Sequence, residues 1–206
     1  ALINMRKLFK QLLNEVYELY LKFGKRLFDV TFSLIALIIL SPLMISTVLL
    51  IKLFDHGPVI FKQERTGLNG IVFNMYKFRS MPLKTKELSS DQIDNLNLTW
   101  IGRFIRRTNI DELPQLINII KGDMSIVGPR PALPIQKDLI KYRRDNGSLF
   151  CLPGLTGLAQ VSSFDGMNIH EKTQLDGEYL NSICFKLDLH IIFRTITYLL
   201  RPPPIY

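Results

Sequence analysis

The chain has 206 residues, enough for one domain with its own core. It carries 26 Lys and Arg against 18 Asp and Glu, a net charge of +8, yet 47% of its residues are hydrophobic and its mean hydropathy is +0.15. Only two cysteines occur, Cys151 and Cys184, in neither metal nor redox spacing, which speaks against a disulfide scaffold and fits a reducing compartment.

So much charge asks for an anionic partner, whether nucleic acid, anionic lipid or a phosphorylated substrate, and so high an apolar content favours the lipid surface. The aromatics cluster with aliphatic residues instead of interleaving along a basic groove, so no nucleic acid is expected.

Residues 5–23 place Leu8, Leu12, Val16, Leu19 and Phe23 at three- and four-residue steps, an amphipathic helix that fits a membrane surface and the protein's own core equally well. Lys25-Arg26-Leu27-Phe28-Asp29 follows. Residues 30–51 then carry no charge, and about 20 apolar residues suffice to span a bilayer. No small-residue cleavage site follows, so an uncleaved membrane helix is expected. Ser41-Pro42 falls in its middle, where the missing proline N–H predicts a kink or break. Cations flank both ends, Lys22, Lys25 and Arg26 before and Lys52, Lys62 and Arg65 after. Such flanks hold both ends in the cytoplasm. A re-entrant helix broken at Ser41-Pro42 satisfies both facts, with a proline-kinked span as the alternative. Asp29 has Lys25 and Arg26 within helical reach as partners.

Between Pro58 and Met81 two β-prone runs flank Asn69-Gly70, which predicts a hairpin. Lys77 and Arg79 alternate with Tyr76 and Phe78 and so share a strand face, suited either to clamp a diphosphate or simply to meet water. Residues 83–98 read as a polar surface loop. Residues 100–107 set Trp100, Ile101, Phe104 and Ile105 against Arg103, Arg106 and Arg107, a composition suited to the headgroup boundary or to a core-packed helix.

Asp111 and Glu112 open an apolar-periodic run of Leu113, Leu116, Ile117 and Ile120, with Pro114 in the first turn and Gly122 as a natural stop. Helix capping would explain two acids here. The nearby arginines suggest another role: a carboxylate can attack phosphorus when cations neutralise the diphosphate, and carboxylate oxygens suit Mg²⁺. Arg130, held between Pro129 and Pro131, is a stiffened cation suited to bidentate phosphate contact.

Several motifs in order resemble those of the bacterial sugar transferases, small monotopic phosphoglycosyl transferases. They are Lys77-Phe78-Arg79-Ser80-Met81, Ile101-Gly102-Arg103-Phe104-Ile105-Arg106-Arg107, Asp111-Glu112-Leu113-Pro114-Gln115, Lys121-Gly122-Asp123-Met124-Ser125 and Val127-Gly128-Pro129-Arg130-Pro131. Pro153-Gly154-Leu155-Thr156-Gly157 with Ala159-Gln160-Val161 resembles the family's next block, and Lys25 to Pro42 its re-entrant helix. The resemblance covers roughly residues 25–200.

It implies an α+β, helix-rich fold: one globular domain with a small β-hairpin, a re-entrant membrane helix and amphipathic interfacial helices. The implied division is an amphipathic segment over 1–24, the re-entrant helix over 25–54 and a cytosolic catalytic domain over 55–206, at the bacterial inner membrane. The implied chemistry takes a sugar-1-phosphate from a UDP-sugar to polyprenyl phosphate. Asp111 would be the nucleophile, Glu112 would hold Mg²⁺, and Lys77, Arg79, Arg106, Arg130 and Gln160 would contact phosphate or substrate. In one departure, Leu152 stands where the family usually has Arg before Pro-Gly, which leaves room for Arg143 or Arg144 to substitute, for a different substrate, or for an inactive relative. A membrane-anchored binding or scaffold protein is the alternative from a different class; it has no need of Asp111.

The last third adds little chemistry. Pro134 to Arg144 reads as a helix and residues 162–168 as a loop near sugar or uridine. His170 and His190 are isolated, and Ile191, Ile192, Thr195, Ile196 and Leu199 form an apolar stripe.

Overall fold

The computed structural model of the chain describes residues 19–81, 99–162 and 167–199. It is helix-rich, with one long apolar helix and two small two-stranded sheets. The amphipathic reading of residues 5–23 and the 83–98 loop fall largely or wholly outside the described residues, as does most of the 162–168 loop.

The long helix, α1 (Lys25–Leu50), continues at each end into a π-helical turn, Tyr20–Gly24 before and Ile51–Asp55 after. By length and composition it could cross a membrane. The expected break at Ser41-Pro42 is corrected: the backbone stays helical through both residues. The reason is local. Proline 42 cannot donate to the Ile38 carbonyl, but the Ser41 hydroxyl does so at 2.8 Å, and Ser46 Oγ donates to the Pro42 carbonyl at 2.8 Å.

Two buried clusters grip α1 at its two ends. Near its start Phe28, Ala36 and Leu37 pack on the core of Met75, Leu116, Ile119, Met124, Val127, Tyr179 and Ile191. Towards its end Met44, Val48 and Leu50 join Ile51, Phe78, Ile101, Ile105 and Ile110. Between these, Ile38 and Ile39 are 74% and 69% exposed, so on that face the middle of the helix packs on nothing among the described residues.

Polar ties reinforce the first grip. Arg26 donates to the Ile119 and Ile120 carbonyls at 2.6 and 2.8 Å. Lys25 pairs with Asp188 at 2.7 Å, and Asp29 accepts from the Ile126 amide at 3.0 Å. The suggested pairing of Asp29 with Arg26 does not form, because the Arg26 guanidinium is taken up by the Ile119 and Ile120 carbonyls at the C-terminal end of α3.

The hairpin joins β1 (Ile60–Thr66) to β2 (Val72–Phe78), antiparallel, with Phe61 opposite Lys77. Its turn requires positive φ at both central residues, and Asn69 and Gly70 provide 56° and 82°. Next come α2 (Trp100–Arg107), a 3₁₀ turn (Ile110–Glu112), α3 (Gln115–Lys121) and β3 (Ser125–Val127). Gly122, at φ 95°, closes α3 in the left-handed cap expected of it.

Helix α4 (Lys137–Asp145) leads to β4 (Gly154–Thr156), which pairs in parallel with β3. Helices α5 (Leu158–Ser162), α6 (Ile169–Ser182) and α7 (Phe185–Leu199) complete the domain. The β3–β4 approach tolerates no side chain: a Cβ on Gly128 would lie 2.3 Å from the Leu152 carbonyl oxygen, and one on Gly157 2.1 Å from that of Gly128. This interlock fixes where the Gly128-Pro129-Arg130-Pro131 turn leaves the sheet.

Helix α2 sorts its apolar residues. Ile101 and Ile105 are buried, while Trp100 and Phe104 face outward with Arg103 and Arg107. Phe54, also exposed, meets Trp100 edge-on at 5.5 Å.

Candidate active site

Asp111 and Glu112 lie in the 3₁₀ turn ahead of α3, and Asn109, at φ 54°, reverses the chain from α2 into that turn. Asparagine tolerates this left-handed conformation better than most residues. Neither acid caps α3, which has no side-chain cap bond. Glu112 Oε1 instead accepts from Lys77 Nζ at 2.8 Å and Arg130 Nη2 at 3.1 Å, and Lys77 Nζ is 3.8 Å from Asp111 Oδ2. The capping explanation gives way to a cation-lined carboxylate pair, with side chains only 13% and 18% exposed.

Electrostatics divides the pair. Burial pushes the Asp111 carboxyl up to about 6; the Glu112 charge adds to the rise, while Lys77, Arg106 and Arg130 oppose it. Burial also works against ionising Glu112, but Lys77 and Arg130, which bond it directly, outweigh burial and hold it well below the usual carboxylate range. Glu112 is thus a fixed anion, and Asp111 an ionisable one poised near neutrality.

Asn118 sets the spacing between strand and turn. Fully buried on α3, it accepts from the Tyr76 amide at 2.9 Å and donates to the Asn74 carbonyl at 2.8 Å. Strand β2 is thereby bonded to α3 at the residue before Lys77. The sequence carried a signal for this, a polar residue inside an apolar helix run, which the periodicity argument passed over.

The other candidates divide. Arg106 belongs to the cations around Asp111, and its Nη1 is buried without a hydrogen-bond partner among the described residues. Arg79 is not brought to the carboxylates: it is buried, and its Nη2 donates to the Asp55 and His56 carbonyls at 3.0 and 3.4 Å, closing the end of the long helix. Gln160 donates to the Leu155 carbonyl at 3.1 Å, and its Oε1 is buried beside Gly157. Arg143 does not replace the cation missing at Leu152, since its guanidinium pairs with buried Asp176 at 2.7 Å.

Among the described residues no group of three or more His, Cys, Asp or Glu side chains gathers to hold a metal. Two adjacent carboxylates do suit Mg²⁺, which commonly takes one or two protein carboxylates and completes its shell with water and substrate phosphate. The donor set fits that ion and no softer one.

One long apolar helix is joined to a buried, cation-ringed carboxylate pair, and cations so placed suit phosphate oxygens. Comparison with known proteins supplies the family. The family model for bacterial sugar transferases matches residues 20–202. The chain is 39% identical over 176 residues to an uncharacterized sugar transferase, EpsL, of Bacillus subtilis, covering 84% of this chain and 85% of that protein. It is 38% identical over 198 residues to the undecaprenyl-phosphate galactose phosphotransferase of Salmonella typhimurium, covering 87% of this chain but 41% of that one. It is 37% identical over 186 residues to the UDP-N-acetylgalactosamine-undecaprenyl-phosphate N-acetylgalactosaminephosphotransferase of Aeromonas hydrophila, covering 84% and 43%. The chain thus spans less than half the length of these two named phosphotransferases. It belongs to the bacterial sugar transferase family.

Proposed function

We propose that the protein transfers a sugar-1-phosphate from a UDP-sugar to polyprenyl phosphate at the cytoplasmic face of a membrane, giving a polyprenyl diphosphate sugar and UMP. The observation that carries this reading is the Asp111–Glu112 pair, buried against Lys77 and Arg130 with Arg106 nearby. The names of the Salmonella and Aeromonas relatives point to the same kind of acceptor, and the latter's to a UDP-linked donor.

In this reading the Asp111 carboxylate attacks the sugar-bearing phosphorus. The phosphorus–oxygen bond to the UMP phosphate breaks, UMP leaves with the electron pair, and Asp111 carries the phosphosugar. An oxygen of polyprenyl phosphate then attacks the same phosphorus and frees Asp111. Lys77, Arg106 and Arg130 neutralise the charge that builds on the phosphate oxygens. Mg²⁺, held by Glu112, would supply further charge neutralisation of the diphosphate.

The membrane arrangement follows from α1. A straight α-helix of its 26 residues reaches roughly 39 Å, more than the ~30 Å hydrocarbon core. Yet both its ends pack on the same folded unit, through Arg26 and Phe28 at one end and Ile51 at the other. This supports a helix that enters and leaves by one face, with Ser41 Oγ supplying to the Ile38 carbonyl the donor that Pro42 lacks. Exposed Phe54, Trp100 and Phe104, with Arg103 and Arg107 beside them, suit the headgroup region at the exit.

The test is to incubate purified protein with Mg²⁺ and a panel of UDP-sugars without acceptor. UMP release and an intact-mass gain of one phosphosugar, mapped to Asp111, are expected. No adduct with any donor would overturn the two-step mechanism.

A further inference from the structure

Arg130 is carried on a backbone that cannot be anchored in the usual way. Pro129 and Pro131 lack N–H groups, so the turn is held through its carbonyls. Four successive carbonyls each have a donor: Pro129 from the Gly154 amide at 2.9 Å, Arg130 from Arg143 Nη1 at 2.8 Å, Pro131 from Arg65 Nη1 at 3.0 Å, and Ala132 from the Thr66 amide at 2.8 Å. The carbonyl of Arg130 itself is therefore held by Arg143. Arg143 in turn is fixed by Asp176, through Nε at 2.8 Å and Nη2 at 2.7 Å, and both residues are at most 4% exposed.

A buried ion pair is a poor source of stability, because desolvation offsets its attraction and apolar replacements are often no worse. This pair does something that apolar residues could not. The planar guanidinium has donors on two edges, so one arginine can hold a carboxylate and a carbonyl at once.

We propose that Arg143 and Asp176 are positioning residues for Arg130. They fix the backbone of the Pro129-Arg130-Pro131 turn, so that its guanidinium arrives at Glu112 and at the substrate diphosphate. The catalytic consequence rests on the proposed transferase activity; the backbone consequence does not.

Removing one partner alone would strand a buried charge, so the test replaces both, Arg143→Met with Asp176→Leu. Donor-dependent UMP release should lose on the order of 10- to 100-fold in kcat/KM, chiefly through a higher KM. Added to Arg130→Ala, the same double change should cost no more than about twofold further, because the group it positions is already gone. Independently of activity, hydrogen exchange in the peptide 127–133 should quicken while that of residues 25–33 does not. If the double variant does not fold, Arg143→Lys serves the same comparisons, since an ammonium facing Asp176 lacks the second edge. A folded variant with unchanged exchange over 127–133, or an equal loss with and without Arg130, overturns the proposal. An inactive wild-type protein with quickened exchange in the variant would instead remove the transferase reading and leave the positioning role standing.

Discussion

Lys77 Nζ stands 2.8 Å from Glu112 Oε1, joining a strand of the hairpin to the turn that carries both acids. The same ammonium is 3.8 Å from Asp111, so one cation serves a permanently charged neighbour and an ionisable one.

Lys77→Met should remove the largest force opposing burial at both carboxylates. With less cationic support the acids ionise at higher pH, so the acid limb of UMP release should move to higher pH and the rate at pH 7 should fall by roughly 100-fold or more. A pH–rate profile with an unmoved acid limb would show that Lys77 does not set the ionisation.

Asp111→Asn should abolish the adduct while making the protein more stable in metal-free buffer at pH 7.5. Asp111 is raised from 3.8 to about 6 by burial, so the folded protein holds its proton more tightly than the unfolded chain does. That contribution is fully present below about pH 4 and is lost as pH rises through 6. Removing the charge should recover on the order of 1–3 kcal/mol at pH 7.5, a rise of several degrees in Tm, and nothing below pH 4. Calorimetry at the two pH values checks both halves.

Arg79→Lys should act on stability and leave donor recognition alone. The change weakens the bonds to the Asp55 and His56 carbonyls, charged hydrogen bonds worth about 1.5–3 kcal/mol. Thermal unfolding should show the loss, while KM for the donor stays within about twofold of wild type. A KM rise without a stability loss would return Arg79 to the diphosphate.

For topology, Lys22→Cys and Lys62→Cys in a Cys151→Ser, Cys184→Ser background should both resist an impermeant thiol reagent applied from outside intact cells, and both should react after lysis. Labelling of one position only would mean that α1 crosses the bilayer.

Much of the frame was legible because local chemistry dictates it. Asn69-Gly70 can make the tight hairpin turn that most residues cannot, and Gly122 stops α3 for the same steric reason. Asp111 and Glu112 were legible as a pair; their escape from capping was not, because it depends on Lys77 and Arg130 arriving from elsewhere in the chain. Arg79 misled because strand alternation places it on the face of Lys77, whereas it lies just past the end of β2, where its guanidinium meets the Asp55 and His56 carbonyls at the end of the long helix. Strands β3 and β4 have three residues each, too few for any alternation to register. In α2, periodicity joined four apolar residues that the fold splits into an inward isoleucine pair and an outward aromatic pair.

The Ser41 hydroxyl on the Ile38 carbonyl has a consequence for how such a segment tolerates oil. A proline normally leaves a bare oxygen one turn back, and bare oxygens in hydrocarbon are costly. Here the preceding side chain supplies the missing donor, so a weak point for bending comes with its own insulation, and Ser41→Ala would strip the insulation while leaving the weak point in place.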